Sequence, residues 1–147
     1  MLKFISIILF STLFIFNANS EIIKDIEVKN NNRVSKETIL IFSKIEIGKD
    51  YSVNDLNLII EDLYKTDFFS NITLEINNGL LIIDVDENKI IQQVIINGIK
   101  KKELVEILKK QLLLKDKNPF VEDFIVTDIE RIQKILKNSG YYFSTVT

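Results

Sequence analysis

The chain has 147 residues, of which 46% are hydrophobic and 27% are charged, a balance typical of globular rather than disordered proteins. Its formal net charge is −2 at pH 7, which gives no electrostatic reason to bind nucleic acid. It contains neither Cys nor His, so disulfides, catalytic thiols and thiolate or imidazole metal sites are excluded.

The first twenty residues are predicted to be an export signal. Lys3 supplies a positive charge, and the 13 residues of Phe4–Phe16 are almost all apolar. That run is shorter than the roughly 20 residues of a membrane-spanning helix. Small residues at Ala18 and Ser20 suit a signal peptidase, so we expect cleavage after Ser20. An uncleaved membrane anchor is the alternative.

A strand and a short helix are predicted next. Ile22–Val28 alternates apolar and acidic residues towards its end, which predicts a strand with one buried face. Asn30–Asn32 is expected to form a turn, because Asn tolerates left-handed backbone. Ser35 is expected to cap a helix at Lys36–Ser43.

The clearest predicted element is the second helix, which opens with a capping box formed by Ser52 and Asp55. Its apolar residues recur at helical spacing and predict one core-facing stripe. The stripe comprises Leu56, Ile59, Ile60, Leu63 and Tyr64. Asp67 is expected to end this helix.

The first unit closes with a predicted hairpin. Its first strand alternates strictly, with core-facing Ile72, Leu74 and Ile76 and solvent-facing Thr73 and Glu75. Asn78–Gly79 is a strong hairpin signal, and Leu80–Glu87 is the returning strand. Residues 21–88 are therefore predicted to form one β-α-α-β-β unit.

The same order of elements starts again in residues 89–147. A strand is predicted at Ile91–Ile96 and a helix at Glu103–Leu113, with Leu104, Ile107 and Leu108 on one face. A second helix is predicted to carry Ile125, Ile129, Ile132 and Leu136 on one face. Gly140 is expected to end it, and a strand is predicted at Tyr141–Val146. The last strand of this unit is missing from the sequence, so we expect the unit to be incomplete.

An internal repeat relates the two units. Val53–Phe69 aligns with Val126–Tyr142 at a constant offset of 73 residues. Each unit carries aromatic residues after its helix stop, Phe68–Phe69 and Tyr141–Phe143, which we expect to pack between helix and sheet. The strands before and after Asn88 are therefore expected to belong to different sheets and not to pair with each other.

No enzyme, cofactor or metal site is predicted. Asp84, Asp86 and Asn88 resemble the start of a calcium loop. However, Lys89 and Ile95 stand where such a loop needs Gly and a bidentate Glu. Alternation instead places both aspartates on the solvent side of a strand.

Tandem β-α-α-β-β units in an exported chain resemble the POTRA domains of the BamA family of outer-membrane assembly factors. The resemblance lies in RVSKETIL from Arg33, GKDYSVNDLNLIIEDLYKTDFFSNITLEI from Gly48, LLIIDVDENKIIQQVIINGIKKKEL from Leu80 and DIERIQKILKNSGYYFSTVT from Asp128. The chain departs from the family at Asn30–Asn31, at Asp67 and at Lys89, where Gly-Asn, Gly and Pro are usual. We expect it to be the N-terminal portion of a longer protein.

The resemblance implies an α+β fold of tandem units, each a three-stranded mixed sheet covered by two helices, with Leu80–Glu87 central and Ile72–Ile76 outermost. It implies a non-enzymatic module on the periplasmic face of the outer membrane, attached through a barrel that this chain does not include. Unfolded outer-membrane proteins and accessory lipoproteins would be its partners.

An exposed strand edge recruits other strands by backbone pairing. The predicted binding residues are therefore Ile72, Thr73, Leu74, Glu75 and Ile76. A two-partner secretion translocator, a division protein and a free periplasmic adaptor are the alternatives.

Overall fold

A computed structural model describes residues 20–147 of the chain. The predicted export signal lies outside the described residues, apart from Ser20. Within residues 20–147, no helix has the length and apolar character needed to cross a membrane.

Five strands and four helices follow one another in the described residues. The strands are β1 (Glu21–Ile22), β2 (Asp25–Lys29), β3 (Asp50–Tyr51), β4 (Phe69–Asn77) and β5 (Leu80–Glu87). The helices are α1 (Lys36–Ser43), α2 (Val53–Tyr64), α3 (Lys102–Gln111) and α4 (Phe124–Asn138).

The three-stranded sheet of the first unit has the order β2-β5-β4. β5 is parallel to β2 and antiparallel to β4. This confirms the predicted mixed sheet, in which Leu80–Glu87 is central and β4 is outermost. The predicted absence of pairing between β5 and the segment after Asn88 is also confirmed, because both partners of β5 lie in the first unit.

The predicted strand Ile22–Val28 is divided in two by the structure. β1 pairs with β3 in a small antiparallel ribbon, which the sequence did not predict. The backbone turns away between the two parts, because the N–H of Ile23 donates to Lys49 and the N–H of Lys24 donates to Gly79. Only β2 enters the main sheet.

Local capping signals were predicted correctly. The hydroxyl of Ser35 accepts from the N–H of Thr38 at the start of α1. In α2, Ser52 Oγ accepts from the N–H of Asp55 at 3.3 Å, and the Asp55 carboxylate accepts from the N–H of Ser52 at 2.8 Å. Both halves of the capping box are therefore formed.

The predicted turn residues adopt left-handed backbone. Asn78 and Gly79 have φ of 55° and 86°, and they join β4 to β5 in a two-residue turn. Asn30 and Asp67 have φ of 60° and 59°. Asn and Asp therefore fill the left-handed positions that glycine usually occupies.

The core of the first unit lies between α1, α2 and one face of the sheet. Its buried members are Ile23, Ile26, Ile39, Tyr51, Ile59, Leu63, Phe69, Ile72, Leu81, Ile83 and Val85. Leu56, Ile60, Leu74 and Ile76 pack against it while partly buried. The stripe prediction is wrong at its last member, because Tyr64 is 40% exposed.

The second unit contains α3 and α4, which share a small core of Leu104, Leu108 and Leu136. One predicted core residue lies elsewhere. Ile107 is 50% exposed, so it is not on the buried face of α3. On α4 the buried carboxylate of Asp128 accepts from the N–H groups of Leu113 and Leu114, a contact that spacing did not predict.

Neither strand predicted in the second unit is present. The backbone of Ile91 bonds instead to Lys117 and Asn118 in the loop before α4. Ile90 forms an isolated bridge with Pro119. Tyr141–Val146 likewise has no strand beside it in residues 20–147. A strand needs a partner strand, and here the loop satisfies the backbone groups of the first segment.

The aromatic residues after the helix stops behave differently in the two units. Phe69 is buried, and Phe68 packs edge-on against it and against Phe42. In the second unit, Tyr142 is 68% exposed and Phe143 is 99% exposed. The prediction of core packing is confirmed for the first pair and wrong for the second group, which has no sheet to cover.

Candidate functional site

The outer edge of β4, at Ile72, Leu74 and Ile76, is called here the free edge. Asn77 lies opposite Leu80 across the two-residue turn, so these two residues form a hydrogen-bonded pair. Bonded and non-bonded pairs alternate along an antiparallel ladder. The N–H groups of Thr73 and Glu75 therefore point to β5, and those of Ile72, Leu74 and Ile76 point outwards.

An independent contact supports this assignment at one end of the free edge. The N–H of Ile72 donates to the hydroxyl of Tyr64 at 3.2 Å, which is possible only if it points away from β5. Within residues 20–147, the N–H groups of Leu74 and Ile76 donate to no other group. Two successive outward donors are thus open to a further strand.

Side chains divide along β4 as the sequence predicted. Ile72 is 6% exposed and faces the core, with Leu74 and Ile76 partly buried beside it. Thr73 and Glu75 are exposed on the face of the sheet away from the helices. The predicted site residues therefore lie together on one edge strand, with backbone groups outward and core side chains inward.

The opposite edge of the sheet is partly occupied. The Nζ of Lys36, in the first turn of α1, donates to the carbonyl oxygen of Ile26 on β2. β4 is therefore the better of the two edges for strand addition.

Glu87, the last residue of β5, fixes the loop before α1 to the end of the sheet, next to the joint between the two units. Its Oε1 accepts from the N–H groups of Asn32, Arg33 and Val34 at 2.8–2.9 Å. Burial alone would raise the pKa of Glu87, but these bonds and the charge of Arg33 outweigh it and hold the pKa below its usual range. The sequence did not indicate this role, since the contacts join residues more than fifty positions apart.

The next residue, Asn88, continues the joint. Its N–H donates to the carbonyl of Phe68 at 2.8 Å, and its Nδ2 donates to the carbonyl of Asp67 at 2.9 Å. The carbonyl of Lys89 then accepts from the N–H of Phe120 at 2.7 Å, a contact within the second unit.

Two concave surfaces flank this framework. The first, called the joint cleft, has a volume of about 490 Å³ and is lined by Tyr64, Asp67, Phe69, Glu87, Asn88 and Phe120, among others. The second, called the helix groove, has a volume of about 430 Å³ between α1 and α2 and is lined by Ile41, Phe42, Lys44, Asp62, Lys65 and Phe68, among others. Within the described residues, no cluster of three or more potential metal-ligating side chains occurs.

A family model described as "POTRA: Surface antigen variable number repeat" matches residues 89–147. Curated relatives match over a longer stretch. The outer membrane protein assembly factor BamA of Neorickettsia risticii is 29% identical over 91 residues, which cover 62% of this chain and 12% of that protein. The BamA of Neisseria meningitidis is 31% identical over 78 residues, covering 53% of this chain and 10% of that protein. The chain thus matches about a tenth of the length of these relatives.

Solved structures share the fold at low sequence identity. The N-terminal domain of Omp85 from Thermosynechococcus elongatus has a TM-score of 0.59 at 15% identity, covering 88% of this chain and 56% of that one. The POTRA1-2 structure of the periplasmic domain of Omp85 from Anabaena has a TM-score of 0.57 at 12% identity, covering 88% of this chain and 87% of that one. Residues 89–147 thus match the POTRA family model, the curated relatives that align with the chain are BamA proteins, and the described residues share the fold of Omp85 POTRA structures.

Proposed function

We propose that the chain is a non-enzymatic, polypeptide-binding part of a machine that assembles β-barrel proteins into the outer membrane. Its relatives carry the name outer membrane protein assembly factor. The proposed location is the periplasmic face of the outer membrane. The proposed partners are unfolded outer-membrane proteins and accessory lipoproteins.

The free edge of β4 carries this proposal. Leu74 and Ile76 present outward N–H groups, and their side chains remain on the core side of the sheet. A client strand would bond to backbone alone, which suits clients of varied sequence. Thr73 and Glu75 point away from both the core and the edge, so Thr73→Ala and Glu75→Ala should leave binding almost unchanged.

An NMR titration with an extended peptide from an outer-membrane β-strand tests strand addition. Leu74 and Ile76 should show the large amide shifts, and Thr73 and Glu75 should move less because their N–H groups already bond to β5. This alternation would separate strand addition from binding through side chains.

Leu74→Pro and Leu74→Ala form a matched pair for the same test. Both substitutions remove the leucine side chain, but only proline also removes the outward N–H. An edge strand tolerates proline at such a position. We expect the Leu74→Ala variant to bind the peptide. The Leu74→Pro variant should remain folded but should no longer bind it. Equal binding by the two variants would contradict strand addition at this edge.

The helix groove offers the main alternative, a free periplasmic adaptor that binds partners on its helices. Ile41 is 73% exposed beside this groove, so an apolar contact surface is available there. Amide shifts centred on Lys44, Asp62 and Lys65 would favour the adaptor and count against strand addition.

A further inference from the structure

Tyr64, the last residue of α2, ends in a contact with the edge of the sheet. Its hydroxyl accepts the outward N–H of Ile72 at 3.2 Å. Its neighbour Leu63 is fully buried, whereas Tyr64 is 40% exposed. The ring therefore lies at the margin of the core, and the hydroxyl occupies a donor that an incoming strand would otherwise use.

We propose that Tyr64 sets the limit of strand addition on β4, an inference that rests on the proposed function. While its hydroxyl holds the N–H of Ile72, the edge offers a partner the N–H groups of Leu74 and Ile76 only. Pairing therefore stops before the joint. A client strand that continues past Ile72 has to displace the Tyr64 hydroxyl first.

A second feature marks the same end of the edge. The register of β4 against β5 shifts between Phe69 and Asn71, so the regular ladder begins at Asn71, one residue before Ile72, which Tyr64 caps. Irregularities of this kind end strand pairing in natural sheets. The capped donor and the register shift thus limit the pairing surface at one place.

The joint cleft begins where the free edge stops. Tyr64 and Phe69 line its wall in the first unit, and Phe120 lines it in the second, where that residue is 37% exposed. A strand that displaced the hydroxyl would be directed into this cleft between the two units. Tyr64 therefore separates short pairing, confined to one domain, from longer pairing that also engages the joint.

Tyr64→Phe tests the inference because it keeps the ring and removes only the acceptor for Ile72. Tyr51→Phe is the matched control. Its hydroxyl also accepts a backbone N–H, that of Glu46 at 2.9 Å in the loop between α1 and β3, and Tyr51 is 7% exposed. Each variant loses one hydroxyl that accepts a backbone N–H, so the control reports what such a loss does away from Ile72.

Two measurements give the result. In the free Tyr64→Phe chain, hydrogen exchange of the Ile72 amide should accelerate more than that of Leu63. In the titration with the extended peptide, Ile72 should join Leu74 and Ile76 in shifting, and affinity should rise about fivefold, the equivalent of one added hydrogen bond. Tyr51→Phe should bind as the unaltered chain does.

The possible failures are distinguishable. If the unaltered chain binds the peptide and Tyr64→Phe binds it with the same affinity and the same set of shifted amides, the inference is wrong and the proposed function stands. If the unaltered chain shows no shifts at residues 71–77, the proposed function fails, and a limit on strand addition fails with it. Unchanged exchange at Ile72 would overturn the capping contact directly.

Discussion

Arg33 and Glu87 are joined by a salt bridge of 3.0 Å between Nε and Oε2, although the Glu87 side chain is only 5% exposed. Nη2 of Arg33 also donates to the carbonyl oxygen of Asn88. One side chain from the loop before α1 therefore bonds to the last residue of β5 and to the first residue of the joint. Glu87 accepts three backbone N–H groups of the same loop, so the loop and the joint are fixed together.

Replacing Glu87 by Gln should lower the free energy of unfolding of the first unit by about 1–3 kcal/mol. The amide keeps one acceptor oxygen but loses the charge and presents an NH₂ group to its donors. Urea midpoints of the unaltered chain and the variant measure the effect. Glu75→Gln is the matched control, because Glu75 is exposed and should change the midpoint little. Equal effects of the two substitutions would contradict the role given to Glu87.

The contribution of Glu87 should depend on pH in a defined direction. Burial of Glu87 opposes its charged form and would raise its pKa. Hydrogen bonds from the N–H groups of Val34, Arg33 and Asn32, together with the charge of Arg33, outweigh burial. The pKa of Glu87 in the folded chain therefore lies below the ordinary 4.5. A depressed pKa means that the stabilisation is complete above the unfolded value and is lost as pH falls through the folded value.

The difference in unfolding free energy between the unaltered chain and Glu87→Gln should therefore be constant near pH 7 and shrink below about pH 4.5. Taking this difference removes the contributions of other carboxyls with lowered pKa, such as Asp55 and Asp62, which both chains share. A difference that stayed constant down to pH 3 would show that the charge of Glu87 does not matter.

Substitutions at Ser52, the N-cap of α2, and at Leu63 within α2 should differ clearly in their effect on the free energy of unfolding. Ser52→Ala removes the acceptor for the N–H of Asp55 and should cost about 1 kcal/mol. Leu63→Ala empties a fully buried position and should cost roughly 2–5 kcal/mol. Urea midpoints that ranked the two substitutions in the opposite order would contradict the assignment of Leu63 to the core.

Local signals in the sequence predicted most of the first unit. The capping box at Ser52 and Asp55 and the turn at Asn78–Gly79 depend on residues a few positions apart, so they can be recognised without the fold. The alternation around Thr73 indicated which side chains face the core. Together with the resemblance, these signals placed β4 at the edge of the sheet.

Contacts between distant residues could not be predicted in this way. The Glu87 carboxylate binds a loop more than fifty positions earlier, and nothing near it in sequence indicates that role. Tyr64 fitted the helical stripe, but its ring is 40% exposed and its hydroxyl bonds to the backbone of Ile72, a contact that the spacing of apolar residues does not indicate. Ile91–Ile96 shows the same limit, since apolar alternation predicts a strand while the presence of a partner strand decides whether one forms.

The two units should differ in local stability. α2 packs on a three-stranded sheet through Ile59 and Leu63, within a core of eleven buried residues. α4 contributes Leu136 to a core of three buried residues in the described part of the chain and has no sheet beneath it. Because amide protection follows the free energy of local opening, the amides of Leu56–Leu63 should exchange far more slowly than those of Ile129–Leu136.

Native-state hydrogen exchange on the chain from Glu21 to Thr147 measures this difference directly. Glu87→Gln adds a control, because it should speed exchange in the first unit and leave α4 nearly unchanged if the units open independently. Equal protection of the two helices in the unaltered chain would show that the second unit gains stability from contacts other than those of Leu104, Leu108 and Leu136. Loss of protection in both helices on Glu87→Gln would instead show that the joint couples the two units into one cooperative body.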